Sequence, residues 1–114
     1  ARLAPGEAVT TIVNFEEQMR GWLSFLARAR TVVHQVEAYR RLEQHIDNYR
    51  RIPVLGFDES AAVEFRRLDN LRLRIGTCDL KSAAIVLSTG ATLLSRNLSD
   101  FGKIPDLRVE DWAT

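Results

Sequence analysis

The sequence predicts an α/β fold: a mostly parallel sheet with helices between its strands and a long helical hairpin near the start. Three observations predict it. Short β-branched or apolar runs recur at positions 9–13, 52–57 and 91–95. Longer stretches with helical apolar spacing separate them. Capping residues mark the junctions, with Asn14 and Asp58 before helices and Gly90 after one. Strands that alternate with helices argue a layered fold with parallel strands.

Taken in order, residues 9–13 are β-branched throughout and read as a short buried strand. Asn14 then offers an N-cap, with Glu17 three residues on as its capping-box partner. Phe15, Met19, Trp22, Leu23 and Leu26 follow at spacings of three and four, an amphipathic helix to about Arg28. A second helix over about 31–51 places Val32, Val36, Tyr39, Leu42, Ile46 and Tyr49 on one face, and the two helices are expected to form an antiparallel hairpin.

Residues 52–57 read as a second strand, with Pro53 marking its start or an edge position. Asp58 opens a helix carrying Ala61, Ala62, Phe65 and Leu68, and 69–77 reads as a loop. Asp79 opens a helix over about 80–88 that is small and apolar around 83–87, as for a helix buried on most sides. Gly90 caps it. Residues 91–95 form the third strand, 96–101 a polar turn, and 107–109 a last short strand.

Composition narrows the function classes. A chain of 114 residues supports one domain spanning 1–114. The net charge of +1 excludes a generally basic nucleic-acid binder, so any phosphate contact comes from a local patch. Lys81 and Lys103 are the only lysines, and the remaining cations are arginines, which suit bidentate phosphate contact. The single cysteine, Cys78, disfavours a disulfide scaffold and a cysteine-based zinc site. No stretch approaches the roughly 18 apolar residues of a membrane span, and no signal-peptide core opens the chain. The expected location is cytoplasmic.

The acids carry the chemical signal. In a parallel sheet, residues just after a strand or at a helix start gather at the carboxyl edge. Glu17 follows the first strand, Asn97 and Asp100 follow the third, and Asp79 stands at the start of the buried helix. Three carboxylates and an amide, with no histidine or thiolate among them, suit Mg²⁺ or Mn²⁺ rather than zinc. Ions held in this way support phosphodiester cleavage. Each acid also has a local structural reading. Glu17 completes a capping box, Asp79 caps a helix or meets its dipole, and Asp100 caps a turn.

Other candidates are weaker. His34 and His45 lie eleven apart on one helix, roughly 16 Å, too far to share a metal. They read as surface or hairpin-packing residues. Cys78 reads as a small buried side chain. Trp22 and the tyrosines fall at helical spacing, which assigns them to hairpin core or interface before base stacking. Arg66, Arg67, Arg72 and Arg74 form a solvated face that also offers a cationic lip just before Asp79.

Together the segments resemble a PIN domain of the VapC toxin type. The first block is TIVNFEEQMRG, residues 11–21, similar to the family's strand and E-L-x-x-G helix start, with Glu17 and Gly21 in the motif positions. The second is RIGTCDLKSAAIVL, residues 74–87, around Asp79. The third is GATLLSRNLSDF, residues 90–101, followed by IPDLRVEDW, residues 104–112. The resemblance runs from about Val9 to Trp112.

It implies a PIN-like three-layer sandwich and a Mg²⁺- or Mn²⁺-dependent ribonuclease, with RNA as substrate, a cognate antitoxin and a homodimer as partners. Glu17, Asp79 and Asp100 would be the catalytic, metal-binding acids, with Ser95, Asn97 and Arg74 contacting substrate. Several positions depart from the pattern. The family's first catalytic aspartate lies on an N-terminal strand, and nothing of that kind precedes Val9, so the domain is expected to be N-terminally incomplete. Ser95 replaces a threonine, Gln18 a leucine and Asp106 the glycine of the tail. The alternative reading is a catalytically inactive PIN-like interaction or dimerisation module.

Overall fold

The computed structural model describes residues 3, 4, 6–95 and 98–112. The order of elements is β1 (Ala8–Thr11), α1 (Ile12–Arg28), α2 (Val32–Arg50), β2 (Val54–Leu55), α3 (Glu59–Asn70), α4 (Thr77–Thr89), β3 (Thr92–Ser95), α5 (Leu98–Phe101) and β4 (Arg108–Asp111). The strands form one sheet in the order β2-β1-β3-β4, with every neighbouring pair parallel. Thr10 pairs with Val54 on one side of β1 and Val9 with Leu93 on the other. The α/β class with a parallel sheet and a helical hairpin is the architecture found.

The first junction differs from the sequence expectation. The strand ends at Thr11, and Ile12 and Val13 enter the helix. Thr11, not Asn14, is the N-cap: its backbone is extended, and its Oγ1 accepts from the Asn14 N–H at 3.0 Å. Both residue types cap well, but sheet pairing ends at Thr11 opposite Leu55, and the helix starts where the ladder stops. The Asn14–Glu17 capping box is therefore not formed, and Glu17 lies beyond the first turn of α1.

Elsewhere the boundaries shift by shorter reasons. Asp58 caps α3 as expected, accepting from Ala61 N–H at 2.9 Å. That helix runs through Asn70 instead of yielding to a loop at 69, because its charged residues lie on an exposed face while Leu68 is fully buried. Helix α4 starts at Thr77, so Asp79 sits inside its first turn; Gly76 holds the cap position with no side-chain bond. The polar turn after β3 contains the short helix α5, and the last strand begins at Arg108.

The core forms around α4. Leu80, Ala83, Ala84 and Val86 are buried against Val9 and Leu93 of the sheet, with Leu68, Phe101 and Ile104 closing the cluster. The small residues let α4 lie close to its neighbours, and Phe101 adds the largest buried volume. Gly90 ends α4 with φ +72°, the left-handed backbone that glycine adopts without cost, and its N–H reaches Val86 O. The α1–α2 hairpin is thinner. No α1 residue is fully buried, and the hairpin is held down by an aromatic cluster. Phe15 stacks on His45 at 4.8 Å, Tyr49 meets both edge-on, and Tyr49 meets Trp112 beyond β4 at 5.3 Å.

Candidate active site

The sheet reverses its direction of growth between β1 and β3: β2 lies outside β1, and β4 outside β3. In open parallel sheets, ligands bind beyond the carboxyl ends of the strands at such a point. There a cleft of about 870 Å³ opens between the helical hairpin and the sheet, within the size range of ligand sites. Leu94 and Ser95 at the end of β3, and Trp112 beyond β4, form its sheet side. Helix α1 presents Asn14, Glu17, Gly21 and Trp22, and α2 presents Arg41 and His45. Asp79 reaches it from the first turn of α4.

The two acids are fixed from beneath. Thr11 Oγ1 lies 2.8 Å from Ser82 Oγ, both buried. Ser82 donates in turn to Asn14 Oδ1 at 3.1 Å, and the Asn14 N–H returns to Thr11. This closed ring of polar groups joins the end of β1, the start of α1 and the second turn of α4, and so ties together the two helices that carry Glu17 and Asp79.

The structure thus brings Glu17, Asp79 and Ser95 to one cleft. Asp100 does not line it; on α5, its Oδ1 pairs with Lys103 Nζ at 3.2 Å. Arg74 does not line it either, and lies exposed in the loop before α4 with φ +57°. Asn97 lies outside the described residues. Among the described residues, no three His, Cys, Asp or Glu side chains form a group able to hold a metal ion.

Two cleft residues, His45 and Trp22, and Tyr49 beside them have no site role in the sequence analysis. His45 is 2% exposed and stacks on Phe15, so of its two sequence readings the hairpin-packing one holds, and its Nε2 has no hydrogen-bond partner. Burial holds its pKa below the ordinary 6.5, opposed in part by the Phe15 backbone. Burial also pushes the Tyr49 phenol up; its hydroxyl donates to Gln18 Oε1 at 3.0 Å. Trp22 is half-buried and faces the cleft instead of the hairpin core alone. The Arg41 guanidinium lies 5.9 Å from its ring centroid. The signal that could have placed Trp22 at the cleft is the helical run from Asn14 through Gln18 and Trp22 to Phe25, which shares a face with Glu17; His45 and Tyr49, on α2, carry no such signal. Cys78 is half-buried and accepts a weak contact from Arg20 at 3.9 Å.

A pair of acids at the switch point of a parallel sheet, walled by a helical hairpin, defines a class of α/β proteins with an acidic cleft. No protein-family model matches the chain, and no curated protein matches it in sequence. Solved structures do match. VapBC-1 from nontypeable Haemophilus influenzae aligns over 98% of this chain and 79% of its own, with TM-score 0.68 and 23% identity. DNA-bound VapBC from Salmonella typhimurium aligns over 90% and 73%, with TM-score 0.65 and 24% identity. VapBC-5 from Mycobacterium tuberculosis, a member of the VapBC family of toxin–antitoxin systems, aligns over 90% and 79%, with TM-score 0.62 and 26% identity. The chain has the VapC-type PIN fold. Among the described residues, no helix is long and apolar enough to cross a membrane.

Proposed function

We propose that this chain is a VapC-like toxin that cleaves RNA phosphodiesters with the help of Mg²⁺ or Mn²⁺. The observation that carries the reading is the meeting of Glu17 and Asp79, from separate helices, in one cleft of a VapC-type fold. Two carboxylates with water completing the shell suit a hard divalent ion, which demands few protein ligands when substrate phosphate supplies others. Bound there, the ion would polarise the phosphoryl group and activate the attacking water.

The chain's own residues divide the remaining work. Glu17 and Asp79 hold the ion, and Asp100, on the turn after β3, is assigned as the late acid of the same edge. The Ser95 hydroxyl and the Asn97 amide donate to phosphate oxygens. Arg74, on the exposed loop before Asp79, attracts the polyanion. A cognate antitoxin or a second copy of the chain would cover the outer face of α2, where Val32 is 74% and Val33 76% exposed and Tyr39 stands out beside them.

The test is Mn²⁺-dependent cleavage of a mixed RNA pool by protein from the complete reading frame. Asp79→Asn and Glu17→Gln should each abolish cleavage while the protein stays folded. Cleavage retained in both variants overturns the site, and no cleavage by the parent overturns the nuclease. The second reading, an inactive PIN-like interaction module, draws on the observation that only two acids line the cleft among the described residues. It predicts neither cleavage nor divalent-ion binding.

A further inference from the structure

The cleft continues well past the two acids, and what lines the continuation has a chemistry of its own. From Glu17, the same face of α1 carries Gly21, Trp22 and Phe25 into the cleft, a run of about 12 Å at helical rise. Gly21 leaves the floor of this run open, since a Cβ built there meets nothing within 4 Å. Trp22 and Phe25 meet edge-on, with ring centroids 6.1 Å apart. Across the cleft, α2 sets Arg41 toward the face of Trp22 at the outer limit of cation–π contact, and Arg28 adds a second cation at the end of α1. Among the described residues, the carboxylates lining the cleft are Glu17 and Asp79, on the first part of α1 and in the first turn of α4.

An aromatic face beside arginines, leading away from an acidic pair, matches the two ends of one nucleotide. The flat base stacks on the ring, and the phosphate pairs with the guanidinium. We propose that Trp22 and Arg41 form a nucleotide subsite, in which Trp22 stacks the base flanking the scissile phosphate of single-stranded RNA and Arg41 pairs with its backbone. Deepening the ribonuclease reading on which it rests, the subsite selects unpaired RNA, because a duplex keeps its base faces buried in its own stack. Trp22 and Arg41 act here as substrate-positioning residues. The ion pair of Arg41 with Glu37 at 2.9 Å holds the guanidinium in place on α2, and it lies at a half-exposed site where exchange for phosphate is cheap.

The test measures binding without cleavage, in EDTA, using fluorescein-labelled RNA strands of about twelve nucleotides, a span typical of single-strand sites. One strand is of mixed sequence, one is abasic at every position, and one is annealed into a duplex. Wild type should bind the mixed strand about tenfold or more tighter than the abasic strand or the duplex. Trp22→Leu, which keeps apolar bulk but not the ring, should lose about tenfold on the mixed strand and nothing on the abasic one. Trp22→Phe should recover most of that loss. Arg41→Gln should weaken the mixed and abasic strands alike and lower the salt slope by about one. Thermal melting confirms that each variant is folded, and Arg41→Gln, at an exposed position, carries the test if Trp22→Leu does not fold. Equal loss by Trp22→Leu on both strands, no loss on either, or a preference for duplex overturns the subsite alone. Wild type that binds no RNA in any form overturns the subsite, and only the absence of Mn²⁺-dependent cleavage by the same protein overturns the ribonuclease reading with it.

Discussion

Ser82 donates a 3.1 Å hydrogen bond to the amide oxygen of Asn14, and each of these residues lies one helical turn from a cleft acid on its own helix. Asn14 precedes Glu17 by three residues and Ser82 follows Asp79 by three, so each pair shares a helix face. The bond therefore sets the spacing of the two acids across the α1–α4 boundary. Ser82→Ala leaves the Asn14 oxygen and the buried Thr11 hydroxyl without this partner and should cost about 1–3 kcal/mol. Urea denaturation reads that loss. RNA cleavage should fall further than the lost folded fraction explains, because the acids lose their common tether.

Gly21 stands in the middle of α1, where glycine is costly, and a Cβ there meets no atom within 4 Å. Gly21→Ala should therefore stabilise the protein by about 0.5–1 kcal/mol, through helix propensity and a less disordered unfolded chain. A rise in the urea midpoint at unchanged slope is the expected signature.

Asp106 occupies the tail position where the related pattern has glycine, and its backbone lies at φ +66°. That left-handed conformation disfavours a Cβ-bearing residue by about 1 kcal/mol, less for Asp than for most. Asp106→Gly should be neutral to stabilising, and Asp106→Val destabilising by about 1 kcal/mol or more. Thermal melting of the pair distinguishes conformational strain from loss of the nearby carboxylate, which both substitutions remove.

What was legible in the sequence is what local chemistry decides. The hairpin limits near Arg28, Thr31 and Arg50 follow from caps and periodicity, and the burial of α4 follows from its run of small apolar residues. The left-handed cap at Gly90 follows from the glycine itself. What was not legible depends on partners distant in the chain. Thr11 outcompetes Asn14 as a cap only because Leu55 ends the ladder beside it. His45 is buried because Phe15 and Tyr49 enclose it, and one helix's spacing cannot reveal a ring from another. The site divides in the same way. Glu17 and Asp79 follow from the rule that strand ends gather, and Ser95 from the family resemblance; the same rule also named Asp100, which does not line the cleft, and the Trp22 and Arg41 wall needs the hairpin angle.

His45 makes stability depend on pH. Its folded pKa lies below the ordinary 6.5, chiefly because burial disfavours the charged ring. Above 6.5 both folded and unfolded imidazoles are neutral, and the stability is fully present. As pH falls below 6.5, the unfolded chain binds a proton that the folded protein refuses, so stability declines until the folded pKa is reached. Urea denaturation from pH 7.5 to 5.5 should show this decline. His45→Phe keeps an aromatic ring beside Phe15 and should flatten the decline over that interval; an equal slope in both proteins would exclude His45 as its source.

The metal assignment has a readout that does not depend on cleavage. An ion bound only by the folded state stabilises it by RT ln(1 + [M]/Kd), about 2.7 kcal/mol at one hundred times Kd. Wild type should therefore melt progressively higher as Mn²⁺ is added, and Ca²⁺, larger and more loosely coordinated, should act differently. Glu17→Gln and Asp79→Asn each remove one of the two cleft carboxylates and should melt at a temperature nearly independent of Mn²⁺. Asp100→Asn separates two arrangements. If Asp100 joins the ion only when substrate is present, this variant keeps the Mn²⁺ shift of wild type but loses cleavage. Loss of the shift as well would place Asp100 among the resident ligands, and an equal shift in all four proteins would move the ion to another part of the chain.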